Sequence, residues 1–259
     1  MDWGMKNRMS KIIKSDGKTV MLAVDHGYFM GPTTGLENIK RTVAPLLEYA
    51  DTLMLTRGAL RNYIEGDVDI PIVLRVSGGT SILNKNLLHE GITTSVEEAI
   101  RLNASGIAFS ILVGADFERD TLLAFSQIVD EAERYGIPTL AVTAVGKGLE
   151  RDARYLSLAT RIGAELGARF VKTYYCEDDF ERVVETSPVP VVIAGGKKVD
   201  ELAALKIAYK AVSAGAAGVD MGRNIFQSDS PVGMMMAVKS IVHGGKNPEE
   251  AYEIYNSHR

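Results

Sequence analysis

The chain predicts a single-domain α/β fold of the (β/α)8 TIM-barrel class, and three observations carry that prediction. Eight short runs rich in Val, Ile and Leu recur along the sequence, and most end in glycine or an ionisable residue. Most of these runs are separated by stretches with helical periodicity, so the strands lie parallel, covered by helices, and read as continuous apolar runs because both faces are buried. The length of 259 residues matches the roughly 250 of a closed barrel. An open doubly wound sheet is the runner-up, and the lack of a Gly-x-Gly-x-x-Gly turn after the first strand counts against it.

Residues 1–16 are charged with spaced apolar positions (Met5, Met9, Ile12, Ile13) and predict a short N-terminal helical segment packing on the barrel domain of residues 17–259. The first strand, residues 19–24, ends abruptly in Asp25-His26-Gly27. A loop rich in Gly, Pro and Thr over 28–35 leads to a helix over 36–49. Strand two, 52–55, ends in Thr56-Arg57-Gly58, and only a short helix fits the crossover over 59–69. Strand three, 71–76, ends in Ser77-Gly78-Gly79 before a long polar loop reaching Thr94. Ser95-Val96-Glu97-Glu98 then reads as a capped helix start. Strand four covers 107–113 and a helix 117–135; strand five covers 139–143 with Gly146-Lys147-Gly148 after it, and a helix 152–166. Strand six is 169–175, followed by a short acidic helix near Glu177. Strand seven, 189–194, ends in Gly195-Gly196-Lys197, and a helix over 199–214 returns the chain to strand eight, 217–221, ending in Gly222-Arg223-Asn224. Helices over 231–243 and 248–255 close the chain.

Composition narrows the function classes. Net charge is −4 with both signs interspersed and no basic run, so a nucleic-acid footprint is absent from the sequence. The single cysteine, Cys176, excludes an intrachain disulfide and a cysteine metal cluster, and nothing else has metal-ligand spacing. No apolar stretch approaches the roughly 20 residues of a membrane span, and Met1 to Lys6 lacks the apolar core of a signal peptide. A cytoplasmic enzyme or binding protein is the expectation.

Lys172 stands out within Arg169-Phe170-Val171-Lys172-Thr173-Tyr174-Tyr175. Alternation places Phe170, Lys172 and Tyr174 on one strand face, and both faces read as buried. An ammonium there must find partners or lose its proton, and a lysine free of its proton attacks a carbonyl to give an iminium. The plainer account is a lysine that snorkels to solvent or pairs with a carboxylate. A barrel builds its site from the C-terminal ends of the strands, which makes Asp25, His26, Arg57, Lys147 and Lys172 the candidates. Asp25 and His26 also have duller readings, as a loop cap and a satisfied buried histidine. Glycines followed by a cation end strands seven and eight, where such barrels often hold a phosphate. Gly195, Gly196, Lys197, Gly222 and Arg223 are therefore the predicted phosphate grip, with tight strand-to-helix turns as the alternative. An iminium lysine, a nearby acid and base, and a phosphate grip together describe class I aldolase chemistry on a phosphorylated keto substrate, with no metal or bound cofactor required.

Asp25 to Phe29 with Gly31 to Gly35, Val171 to Tyr175, Ile193 to Lys198 and Gly218 to Gln227 together resemble the LsrF-type proteins. These sit within the class I aldolase group that also holds archaeal-type fructose-bisphosphate aldolases and amino-dideoxyheptulosonate synthases. The resemblance implies a (β/α)8 fold, a Schiff base on Lys172, a catalytic contribution from Asp25 and His26, phosphate binding at Gly195, Gly196, Gly222 and Arg223, and a homodecamer. It implies a thiolase of autoinducer-2 breakdown, which moves acetyl from 3-hydroxy-5-phosphonooxypentane-2,4-dione to coenzyme A as co-substrate and releases dihydroxyacetone phosphate. The aldolases of the group carry a tyrosine in a Tyr-Pro-Arg-Gly-like turn after strand five, where this chain has Ala144-Val145-Gly146-Lys147. That departure favours the thiolase over sugar-phosphate cleavage. The chain also begins near its first barrel elements, without the longer N-terminal extension of the LsrF type, so assembly or lid details are expected to differ. Cys176 adjoins no histidine and reads as a packed residue rather than an acyl carrier. Three functions stand: a Schiff-base acetyltransferase, a Schiff-base aldolase on a sugar phosphate, and a phosphate-ligand binding barrel without turnover.

Overall fold

A computed structural model of the chain describes residues 1–84, 89–145 and 151–259. Among these residues ten strands form in chain order: β1 (Thr19–Ala23), β2 (Thr52–Thr56), β3 (Ile72–Arg75), β4 (Ser77–Gly78), β5 (Gly91–Ile92), β6 (Gly106–Val113), β7 (Thr139–Val145), β8 (Phe170–Tyr174), β9 (Val191–Ala194) and β10 (Gly218–Met221). Eight of them close a parallel barrel in the order β1-β10-β9-β8-β7-β6-β3-β2, while β4 and β5 pair separately. The helices are α1 (Trp3–Ile12), α2 (Gly27–Met30), α3 (Ile39–Val43), α4 (Arg57–Tyr63), α5 (Val96–Arg101), α6 (Glu118–Arg134), α7 (Ala153–Glu165), α8 (Phe180–Glu185), α9 (Glu201–Ser213), α10 (Arg223–Phe226), α11 (Pro231–Val242) and α12 (Pro248–Ser257). Among the described residues no helix is long and apolar enough to cross a membrane.

Strand alternation divides the interior into two cores. Outward-facing Leu22, Leu53, Leu74, Phe109, Val171 and Ile193 pack beneath the helices in the larger core. Inward-facing Met21, Met54, Val73, Leu140, Phe170 and Val192 form an apolar floor inside the barrel, closed from below by the fully buried Ile12 at the end of α1. The Asp2 side chain accepts the Met5 amide at 2.7 Å and starts that helix. A sealed floor means that a ligand reaches the interior only from the C-terminal mouth.

Several local expectations are corrected. The helix expected over 36–49 is shorter, α3 followed by a 3-10 turn over Ala44–Leu46. Pro45 has no N–H to donate and its ring crowds the carbonyl of the preceding turn, so a continuous α-helix is disfavoured there. The loop expected over 28–35 begins instead as the short helix α2. Within the polar stretch before Thr94, β4 and β5 form an antiparallel pair, Ser77 opposite Ile92 and Gly78 opposite Gly91. The helix start at Ser95 is as read, with the Ser95 hydroxyl accepting the Glu98 amide at 3.2 Å.

Candidate active site

Two residues above the apolar floor, the same inward-facing parity delivers different chemistry. Met21 gives way to Ala23 and then Asp25, Val73 to Arg75, Ala108 to Ser110, Leu140 to Val142, Phe170 to Lys172, and Val192 to Ala194. All of these upper residues, with Asp220 and Gly222, line one cavity of about 200 Å³ at the C-terminal mouth. Strand register sets Val142 beside Lys172, Lys172 beside Val192, and Asp220 beside Ala194.

Lys172 lies on the wall, 8% exposed, with its Nζ 2.9 Å from Oδ2 of Asp220, whose side chain is fully buried. The Thr143 hydroxyl donates to the Lys172 carbonyl at 3.1 Å and ties β7 to β8 beside the amine. Opposite, Arg75 is the buried hub. Its Nε donates to Asp25 Oδ2 at 2.8 Å and its Nη1 to Ser110 Oγ at 2.7 Å and Ser77 Oγ at 3.3 Å. Ser77 in turn donates to Glu90 Oε2 at 2.6 Å, and the Tyr28 hydroxyl donates to Glu90 Oε1 at 2.6 Å. The guanidinium of Arg75 sits 5.3 Å from the Tyr28 ring centroid. Buried charges at this density persist because each is paired or hydrogen-bonded.

The field orders the ionisation states. Burial alone would raise the Asp25 carboxyl, but Arg75, then His26 and Lys172, outweigh it and hold the carboxyl below its ordinary value. Asp220 goes the other way: burial raises it above the ordinary carboxylate range despite the neighbouring lysine. His26 falls to about 4, chiefly through burial, with the Lys172 and Arg223 charges adding to the effect and Asp25 opposing it. Its imidazole is therefore neutral at pH 7. His26 Nδ1 lies 3.9 Å from Asp25 Oδ1, too long for a hydrogen bond, and has no hydrogen-bond partner.

At the other side of the mouth, the turns after β9 and β10 meet. Gly196 adopts φ +70° with no atom near the position of a Cβ, so its backbone is open to the cavity. Gly222 is dictated by packing, since a Cβ there would lie 2.3 Å from the Ala23 carbonyl oxygen and 2.7 Å from His26 Cε1. Asn224 staples the two turns, donating to the carbonyls of Gly195 at 2.6 Å and Lys197 at 3.3 Å while accepting the Val199 amide at 2.9 Å. Arg223 Nε is buried without a hydrogen-bond partner. A guanidinium beside an accessible glycine turn is suited to a phosphate or carboxylate.

The cavity thus brings together Lys172, Asp25, His26, Gly195, Gly196, Gly222 and Arg223. Lys197 is exposed and stands outside the lining residues. Arg57 lines a separate cavity, which shares Tyr28 and Arg75 with the first, and Lys147 lies outside the described residues. Reading strand ends missed Arg75, Ser110 and Asp220, which sit within strands, and Tyr28, Glu90 and Asn224, which arrive from loops and short elements. A signal for the first three was present: each is a polar residue inside an apolar run. Burial raises the Cys176 thiol to about 11, and its Sγ donates to the Asp178 carbonyl, as a packed residue does. Among the described residues no group of three acidic, histidine or cysteine side chains is arranged to hold a metal.

The chain is 53% identical over 256 residues to an uncharacterized aldolase of Pasteurella multocida, covering 98% of this chain and 88% of the relative. It is 52% identical over 260 residues to the 3-hydroxy-5-phosphonooxypentane-2,4-dione thiolase of Escherichia coli K12, covering 100% of this chain and 89% of the relative. Among solved structures, an archaeal fructose 1,6-bisphosphate aldolase superposes with a TM-score of 0.83 at 28% identity, covering 93% of this chain and all of that one. A structure of such an archaeal aldolase, with its catalytic lysine covalently bound to the carbinolamine intermediate of the substrate, superposes at 0.82 with 27% identity over 92% of this chain and 99% of that one. The family model for DeoC/LacD family aldolases matches residues 19–228, first barrel strand to the helix after the last. An eight-stranded barrel with a buried lysine at its C-terminal mouth, and relatives of this kind along the whole chain, make this protein a member of the DeoC/LacD aldolase family.

Proposed function

We propose that this enzyme is a Schiff-base thiolase: it transfers acetyl from 3-hydroxy-5-phosphonooxypentane-2,4-dione to coenzyme A and releases dihydroxyacetone phosphate. The observation that carries the reading is the buried Lys172 amine facing a cavity also lined by the open turn of Gly196 and by Arg223, whose Nε is unpartnered. The thiolase relatives at 52% identity support the substrate. The covalent lysine in the archaeal aldolase structure supports the chemistry.

In this reading Gly195, Gly196, Gly222 and Arg223 hold the phosphate, and that remote binding energy positions the nearer ketone against Lys172. The amine adds to the carbonyl carbon, and loss of water leaves an iminium. Coenzyme A thiolate then attacks the acetyl carbonyl. As the tetrahedral intermediate collapses, the carbon–carbon bond breaks and its electron pair moves into the iminium to give an enamine. The enamine takes up a proton on carbon, and water hydrolyses the iminium to free dihydroxyacetone phosphate and Lys172. His26, neutral at pH 7, suits a hydrogen-bond donor to the oxygen that gains charge rather than a base for the thiol. Asp25, kept ionised chiefly by Arg75, sets a negative charge close to the cationic iminium.

The test is borohydride reduction in the presence of dihydroxyacetone phosphate, read by mass spectrometry on the intact protein and on the Lys172 peptide. A stable adduct absent from Lys172→Ala is expected. Binding without an adduct would sink the covalent mechanism and leave a phosphate-ligand binding barrel. With the phosphorylated dione as substrate, cleavage that proceeds equally without coenzyme A and releases acetate would make water the acyl acceptor and overturn the thiolase, whereas cleavage of a sugar phosphate such as fructose 1,6-bisphosphate with no coenzyme A would assign an aldolase.

A further inference from the structure

Asp220, fully buried beside Lys172, is an ionisable group at the site to which the mechanism above gives no work. It sits on β10 with an inward-facing, fully buried side chain, one strand removed from Lys172 across β9. Its Oδ2 meets Lys172 Nζ at 2.9 Å in an ion pair, and its Oδ1 has no hydrogen-bond partner. The large majority of buried side-chain polar atoms have at least one hydrogen-bond partner. Asp220 faces Lys172 and lines the cavity. By contrast Asp51, at the opposite end of the barrel, has one carboxylate oxygen that accepts both the Val20 amide and His243 Nε2.

We propose that Asp220 is the proton carrier for Lys172, a further catalytic residue that takes the ammonium proton to free the attacking amine and returns it to the departing hydroxyl. The inference rests on the Schiff-base reading above. In the first step the N–H bond of the Lys172 ammonium breaks and an O–H bond forms on Asp220, leaving a neutral pair. The nitrogen lone pair then forms the N–C bond to the ketone as the carbonyl π pair moves to oxygen, and a proton passes from nitrogen to that oxygen. Finally the C–O bond breaks, the Asp220 proton leaves with the hydroxyl as water, and the nitrogen lone pair closes the iminium. Asp220 ends ionised beside a cation, as it began, so no net proton enters or leaves.

The surroundings favour a carrier over a fixed anion. Burial raises this carboxyl, and the facing charges of Lys172 and Asp25 oppose one another in setting it, with Arg75 acting more weakly on the lysine's side. A carboxyl raised in this way gains a proton more readily than Asp25, whose Arg75 partner keeps it ionised. Two buried carboxylates in one cavity, pushed in opposite directions, divide the roles of proton carrier and fixed negative charge.

The test compares wild type, Asp220→Asn and Asp220→Ala for the rate of borohydride-trapped adduct with dihydroxyacetone phosphate. Fold is checked by circular dichroism, and ligand binding is measured before reduction. For Asp220→Asn the expected result is retained binding and a trapping rate lower by about 10² or more, the usual range for losing a positioned acid–base group. Asp220→Ala opens space at the carboxylate position, and added formate is expected to restore part of its trapping rate, which a merely structural role would not do. Wild-type trapping rates in a folded Asp220→Asn protein, or no response of folded Asp220→Ala to formate, would overturn the inference while leaving the Schiff base intact. Loss of fold in both variants would assign Asp220 to the fold and overturn it equally. Absence of an adduct in wild type would instead refute the Schiff-base reading beneath it.

Discussion

Replacing Arg75 with methionine removes the hub of the site while keeping a side chain of similar length. Arg75 is 5% exposed and donates to Asp25, Ser110 and Ser77. Its loss leaves Asp25 a buried carboxylate without its nearest counter-charge. Breaking a buried pair from one side costs about 3–5 kcal/mol. With a urea dependence of roughly 3 kcal/mol per molar, the midpoint falls by about 1–1.7 M. The pH dependence identifies the cause. Asp25 is held below its ordinary value in the folded wild type, so its contribution is present above the unfolded carboxylate range and is lost as pH falls through the folded value. In the variant burial stands with less opposition and the same carboxyl moves up. The gap between the two proteins should therefore be widest at neutral pH and narrow on acidification past about pH 4. Far-UV circular dichroism is the right probe, because the single tryptophan, Trp3, is 77% exposed and reports little on the core. A midpoint shift below about 0.3 M, or one equal at pH 7 and pH 4, would refute the assignment of Arg75 as the counter-charge that makes Asp25 tolerable.

Three further outcomes are expected. His26 is held at about 4 against an ordinary 6.5, so the unfolded chain binds the extra proton between those values. Stability should decline as pH falls through that window, and His26→Gln should flatten the decline in urea midpoints between pH 7 and 4.5. Gly222→Ala places a Cβ 2.3 Å from the Ala23 carbonyl and should lower Tm by several degrees, at about 1–3 kcal/mol for overpacking. Gly196→Ala, strained only by its φ of +70° with open space around it, should cost about 1–2 kcal/mol. Equal Tm losses in a scanning melt would count against that distinction. Arg223→Ala should weaken inorganic phosphate and dihydroxyacetone phosphate about 10- to 100-fold in calorimetric titration, the range for a charge-assisted hydrogen bond. Unchanged affinity would remove Arg223 from the grip.

Much of this molecule is legible in one dimension. The eight apolar runs, their spacing and their polar endings determine a barrel, because a strand buried on both faces must be continuously apolar and its helix must return the chain to the same end. The oddity of Lys172 is legible for the same reason, as a lysine in a run that cannot solvate it. The sequence also carries the glycine-cation endings after the last two strands, though not which of their members face inward. Lys197 and Arg223 follow their glycines alike, yet only Arg223 lines the cavity. The difference lies in the direction each turn takes, a choice made by Asn224 bridging the two turns.

What only the tertiary structure decides is partnership. Nothing local distinguishes Asp25, which remains ionised, from Asp220, which burial pushes upward, since both are aspartates near the end of an apolar strand. Closing the barrel puts Arg75, fifty positions along the chain, 2.8 Å from Asp25, and sets Asp220 against Lys172 across an intervening strand. Strand parity, which is a property of the sequence, chooses the side chains that enter the cavity. Register and closure choose which charges meet there, and in a buried site a charge's neighbours govern its protonation more than its residue type does.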